Sequence, residues 1–80
     1  MYYTYILKSD KNGKYYVGST KDLEKRLVCH NNGRNKSTKH GVPWVLIHKE
    51  GYSTKQDAYR REFQIKKYKH GEAFKKLIAK

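Results

Sequence analysis

Asn12-Gly13 stands between two aromatic and β-branched runs, residues 2–8 (Tyr-Tyr-Thr-Tyr-Ile-Leu-Lys) and 15–17 (Tyr-Tyr-Val). Asn-Gly is the strongest short hairpin signal, because both residues tolerate the positive φ that a tight turn between twisted strands demands. The chain is therefore committed early to two antiparallel strands. Two registers satisfy the turn. A two-residue loop pairs Lys11 with Lys14 and Ser9 with Tyr16, whereas a four-residue loop over 10–13 pairs Ser9 with Lys14 and Leu7 with Tyr16. Parity is the same in both: Tyr3, Tyr5 and Leu7 share a face with Tyr16 and Gly18, while Ile6 and Val17 share the other. Tyr5 and Tyr16 converge either way.

Beyond the hairpin, Ser19 or Thr20 can cap a helix that carries Asp22 and Glu24 in its first turn, where the dipole favours acids. Leu23 and Leu27 give that helix an apolar stripe, and Asn31-Asn32-Gly33 ends it. Residues 33–42 read as a polar, basic loop. Pro43 admits the start of a strand through Trp44–His48. Ser53 and Gln56 form a capping box for a second helix running to about Lys69, where His70-Gly71 stops it. Phe74, Leu77 and Ile78, at i, i+3 and i+4, mark a short last helix. The order is β-β-α-β-α-α, an α+β pattern without repeats, expected to form one domain over residues 1–80.

With 36% hydrophobic residues in 80, the core must be small and largely aromatic, drawing on eight tyrosines, Trp44, Phe63 and Phe74. Cys29 is the sole cysteine, so no internal disulfide can form, and a reducing compartment is expected. The opening residues do not read as a signal peptide, and Val45-Leu46-Ile47 is too short to span a bilayer. A cytoplasmic protein with no membrane partner is the expectation. Nineteen Lys and Arg against seven Asp and Glu leave +12, which a polyanion would relieve. The excess lies mainly in 21–40 and 55–80, so phosphate contacts are expected from Arg34, Lys36, Lys39 and His40 of the basic loop.

Candidate chemistry sits on the two longer helices. At 100° per residue, Glu62 falls inside the apolar arc that runs from Ile65 and Ala58 to Tyr59 and Phe63, the side expected to face the sheet, where an unpaired carboxylate is costly. It needs a partner: Lys66 one turn on, a hydrogen-bond network, or a metal ion. Arg26 and His30, four apart, share a face expected to flank the core rather than fill it. Arg26 can fork onto phosphate oxygens or pair with Asp22; His30 can join a site or cap the helix dipole. The remaining acids lie in turns or at helix starts, so a several-carboxylate two-metal site is not supplied. One carboxylate suits one hard ion completed by water and substrate oxygens. No His/Cys spacing for zinc and no phosphate-binding glycine loop occur.

Tyr3-Thr4-Tyr5, then Tyr16-Val17-Gly18-Ser19, Arg26, His30 and Glu62 resemble the GIY-YIG nuclease superfamily in its compact, single-domain, UPF0213-like form. The resemblance runs over essentially the whole chain. Its most specific part is the first 30 residues, with ten residues between the tyrosines and an arginine ten residues after the second. It implies a three-stranded antiparallel sheet flanked by helices, a single divalent-metal site, and catalytic roles for Tyr5, Tyr16, Arg26, His30 and Glu62. Tyr3 and Thr4 replace the glycine and isoleucine of the first signature. Residues 63–80 hold no counterpart of the asparagine that many members carry after the glutamate; Lys66 would take part of that role by touching phosphate.

The resulting expectation is a Mg²⁺- or Mn²⁺-dependent endonuclease acting on DNA, including structured or branched DNA. Glu62 is expected to hold the metal, Arg26 the phosphate, and Tyr5 to act as general base, steadied by Tyr16 and His30. The rival is a non-catalytic nucleic-acid-binding module on the same scaffold. RNA is the weaker choice of partner, favoured only if Tyr2, Tyr15, Trp44 and Tyr52 are exposed for stacking.

Overall fold

The computed structural model describes residues 1–36, 38–68 and 71–79. Strands β1 (Tyr2–Ser9) and β2 (Tyr15–Thr20) lead into helix α1 (Leu23–Asn31). A 3-10 turn (Lys39–Gly41) precedes strand β3 (Trp44–Tyr52), helix α2 (Lys55–Lys67) and helix α3 (Glu72–Ile78). The sheet is antiparallel throughout, in the order β2-β1-β3. The expected order and architecture are both present. Because β1 is central, Thr4 through Leu7 are buried on both faces, which is why Tyr5-Ile6-Leu7 runs apolar without alternation.

The hairpin takes the four-residue loop. Leu7 pairs with Tyr16, and the Ser9 amide donates to the Lys14 carbonyl at 2.8 Å. Ser9 selects this register. Its buried hydroxyl accepts from the amides of Lys11 and Asn12 and donates to the Gly41 carbonyl at 2.6 Å, tying the turn to a distant loop. Gly13 adopts φ +73, as the turn requires.

Each face of the sheet carries its own core. Tyr5, Leu7 and Trp44 pack with Tyr16, Leu23, Leu27 and Leu46 beneath α1. Ile6, Ile65 and Phe74 pack with Val17, Ile47 and Leu77 beneath α2 and α3. The parity read from the hairpin is the parity of these two cores. Trp44 is buried, donating its ring N–H to the Thr38 carbonyl at 2.7 Å and lying against Gly41, where a Cβ would collide with the ring. It is a core residue and offers no stacking surface, and Tyr2, Tyr15 and Tyr52 are half-buried. None of these four rings is fully open to solvent.

Element ends depart from expectation in ways that pairing explains. Ser19 and Thr20 stay in the ladder opposite Thr4 and Tyr3, so the α1 cap falls to Asp22, which accepts from the Lys25 amide. Strand β3 runs on past His48 to Tyr52, because β1 offers partners down to Tyr2. That leaves Thr54 rather than Ser53 as the α2 cap, accepting from the Asp57 amide. Helix α2 ends at Lys67 with Tyr68 as its cap, and the expected stop at Lys69 and His70 lies outside the described residues.

Glu50 of β3 ties the sheet to α2. Arg61 forks onto its two oxygens at 2.8 and 3.2 Å, and His48 and Tyr52 also donate to it. Burial pushes the carboxyl up, but the hydrogen bonds from Arg61, Tyr52 and His48 outweigh it and hold the pKa at about 2. Since the folded value is depressed, this stabilisation is present above pH 4.5 and is lost as pH falls toward about 2. Glu50→Gln is therefore expected to flatten the dependence of Tm on pH across that window. Thermal melts of the two proteins at matched pH check this; an unchanged slope would remove Glu50 as the source.

Candidate active site

Tyr5 and Gly18 are direct partners across the β1–β2 ladder. A Cβ at Gly18 would lie 2.6 Å from the Tyr5 hydroxyl and 3.1 Å from the Tyr16 ring, so only glycine lets Tyr5 lie across the neighbouring strand. The Tyr5 hydroxyl thereby reaches Nε2 of His30 at 3.0 Å. On its other side His30 places Nδ1 2.8 Å from the Thr38 hydroxyl. The Tyr16 ring lies 4.9 Å from the imidazole and 6.4 Å from the Tyr5 ring, centroid to centroid.

His30 is fully buried, which corrects its expected place at the margin of the core. It continues the i, i+4, i+7 stripe begun by Leu23 and Leu27, so the face of α1 that meets the sheet includes it. Burial lowers its pKa from 6.5, and the Arg26 charge lowers it further. Burial likewise pushes the Tyr5 hydroxyl above the usual tyrosine range; Tyr16 and Glu62 add to this, and Arg26 opposes it. Both groups are thus held neutral. The hydrogen pattern that suits them has Tyr5 O–H donating to Nε2 and Nδ1–H donating to Thr38. The Thr38 hydroxyl in turn faces the Asn35 carbonyl at 3.5 Å.

Arg26 is exposed on α1, and among the described residues its guanidinium has no hydrogen-bond or ion-pair partner. It lines a groove of about 640 Å³ with Ser19, Lys21, Lys25 and Lys55. Of the five expected catalytic residues, Arg26 alone lines this groove. Its charge nevertheless acts on both Tyr5 and His30.

Glu62 approaches from α2, the helix on the opposite face of the sheet. Its Oε1 accepts from the Ser19 hydroxyl of edge strand β2, and its Oε2 pairs with Lys66, each at 2.7 Å. The Glu62 side chain is 12% exposed and that of Lys66 51%. Both the expected Lys66 pair and a hydrogen-bond network are therefore present. Among the described residues no group of three or more His, Cys, Asp or Glu side chains could hold a metal. A carboxylate accepts about four bonds, and Glu62 uses two in these contacts, so a donor site remains for one hard cation. Lys66 can swing aside because its side chain is long and half in solvent.

Tyr5, Tyr16 and His30 thus form one cluster, with Arg26 in electrostatic reach and Glu62 joined through Ser19. Arg34, Lys36, Lys39 and His40 are exposed on the loop after α1. Buried Thr38 anchors that loop to His30. Sequence reasoning gave no role to Gly18 or Thr38 and read Ser19 or Thr20 as a helix cap. A glycine inside a strand signals a close approach, so Gly18 was findable; Thr38 sits in an irregular loop eight residues from His30 and Ser19 is 43 residues from Glu62, and neither pairing leaves a periodic signal.

The profile of the GIY-YIG catalytic domain matches residues 1–75. The chain is 44% identical over 68 residues to a UPF0213 protein of Staphylococcus saprophyticus, covering 84% of this chain and 82% of that one. It is 37% identical over 67 residues to a UPF0213 protein of Halobacterium salinarum, covering 82% and 86% respectively. Among solved structures it resembles the solution NMR structure of a UPF0213 protein from Bacillus halodurans. That match has 32% identity and a TM-score of 0.50, over 84% of this chain and 72% of the other.

Proposed function

The chain belongs to the GIY-YIG catalytic domain family, and from that premise we propose that it is a Mg²⁺-dependent endonuclease that hydrolyses DNA phosphodiester bonds. The observation that carries the reading is the tyrosine–histidine cluster within electrostatic reach of Arg26, which has no partner among the described residues, with one carboxylate held at the adjacent strand edge. In this reading Arg26 forks onto the non-bridging oxygens of the scissile phosphate and meets the charge that builds there. Tyr16, half-buried rather than sealed, first gives up its own hydroxyl proton to solvent and then, as a phenolate, takes the proton of the attacking water.

Tyr5 is not kept as the base. Tyr5 is 2% exposed, its hydroxyl is bonded to a neutral histidine, and burial pushes that hydroxyl above the usual tyrosine range, which makes it the poorer base for water at neutral pH. Its role, with His30, is to hold Tyr16 in place. Glu62 would hold the ion, Mg²⁺ or Mn²⁺, which when bound supplies positive charge at the scissile phosphate and the leaving oxygen. Lys66, released from Glu62, would then touch phosphate, as would Arg34, Lys36, Lys39 and His40.

The Lys66–Glu62 pair also suits a second reading, a binding module in which that pair is permanent. Incubation with supercoiled and branched DNA in Mg²⁺, Mn²⁺ or EDTA separates the two. Nicking or cleavage with metal and none in EDTA is expected; binding without cleavage in either metal would sink the nuclease reading. No described helix is long and apolar enough to cross a membrane, and the proposed compartment is the cytoplasm.

Binding itself is expected to weaken steeply with salt, as phosphate contacts release counterions. Replacing Lys36 and Lys39 by Ala should weaken binding to all sequences alike and reduce the slope of log K against log salt by roughly two. Titrations across a salt series check this, and a salt-independent affinity would point to another ligand.

A further inference from the structure

We infer that the paired rings of Tyr59 and Phe63 are a stacking platform for an unpaired DNA base beside the cleaved phosphate, selecting flaps and branches over continuous duplex. The inference rests on the nuclease reading for the word "cleaved", and on geometry for the rest. Tyr59 and Phe63 are each 52% exposed, whereas every other Tyr, Phe and Trp ring among the described residues is buried or half-buried. They meet edge to face, with centroids 5.1 Å apart and planes at 88°. In such a pair one ring presents its edge, so the partner leaves its faces uncovered.

Their place on α2 ties them to the site. Tyr59, Glu62, Phe63 and Lys66 are linked by steps of three and four residues, the spacing that makes helix neighbours. Lys66 joins the two parts: its ammonium is 2.7 Å from Glu62, and its charge interacts with both Tyr16 and Tyr59. Going round the helix from Glu62, the next side chains are Lys55 and Lys66, then the two rings, and beyond them Lys67 and Arg60. All four cations are exposed.

Rings flanked by cations on both sides suit single-stranded nucleic acid, in which the base stacks and the neighbouring phosphates pair. A continuous duplex offers no free base face. A second copy of this chain is a poor occupant, because it would bring another +12 against the same cations. Two half-exposed rings also fall far short of the roughly 1,200 Å² that a stable protein interface buries.

The test compares a fluorescent duplex with the same duplex bearing a short single-stranded flap, both in EDTA, using the full chain. Wild type is expected to bind the flap more tightly and to change the emission of 2-aminopurine placed in it. Tyr59→Ala/Phe63→Ala should weaken flap binding tenfold or more, since stacking on one ring is worth about 1–3 kcal/mol per base, and should leave duplex binding unchanged. Tyr59→Leu/Phe63→Leu, which keeps apolar bulk on the helix, should show the same selective loss. Equal affinity of wild type for both DNAs, or equal weakening of both by the variants, would overturn the platform. So would a dimer, seen by sedimentation, that the Ala variant abolishes while flap binding persists. Wild type that prefers the flap yet cleaves nothing with Mg²⁺ or Mn²⁺ would uphold the platform and refute the nuclease.

Discussion

Glu62→Gln is expected to lower metal-dependent cleavage by roughly two to three orders of magnitude, the cost of losing one strong electrostatic contact at the transition state. The change keeps the size of the side chain and an oxygen to accept from Ser19, but it removes the charge that would hold the ion and that pairs with Lys66. DNA binding in EDTA should hold or improve, because a negative charge facing phosphate is gone and Lys66 is free. The fold should survive, since the Lys66 pair is half in solvent and such pairs contribute about 1 kcal/mol or less. Cleavage assays beside thermal melts decide the matter. A folded Glu62→Gln protein that cleaves like wild type would rule out the metal assignment and leave Glu62 as a structural tie between β2 and α2.

Tyr16→Phe and Tyr5→Phe are expected to fail in different ways, although the two residues touch the same histidine. Removing the Tyr16 hydroxyl should slow cleavage by roughly 10²–10⁴-fold, the usual contribution of a positioned base. It should disturb stability little, because that side chain is half-buried and its ring still packs against Trp44 and His30. Removing the Tyr5 hydroxyl strands the buried Nε2 of His30, which should cost about 1–3 kcal/mol of stability with a smaller effect on rate. Rates measured well below the melting temperature of each variant separate the two effects. If folded Tyr5→Phe loses cleavage and Tyr16→Phe keeps it, the base role returns to Tyr5.

Much of this was legible in the chain because it is local. The Asn-Gly turn and the alternation around it are short-range features, and they correctly put Tyr5 and Tyr16 on one face. The apolar arc of α2 marked Glu62 as a carboxylate in need of partners, and Ser19 and Lys66 supply them. His30 was misjudged for a local reason as well. Grouped with Arg26 it looked peripheral, whereas grouped with Leu23 and Leu27 it completes a stripe.

The element order and the face on which each strand residue lies could be read from the residues alone. These follow from periodicity, turn chemistry and charge, each readable within a few residues. The hairpin register, the depth of the tyrosine–histidine cluster and the grip of Ser19 on Glu62 emerge only once the chain is folded. Those depend on contacts such as Ser9 to Gly41, 32 residues apart, and Ser19 to Glu62, 43 apart. The tertiary structure also decided which tyrosine meets water. Both lie on the same face of the hairpin, but β1 is the middle strand and β2 an edge, so packing seals Tyr5 and leaves Tyr16 partly open.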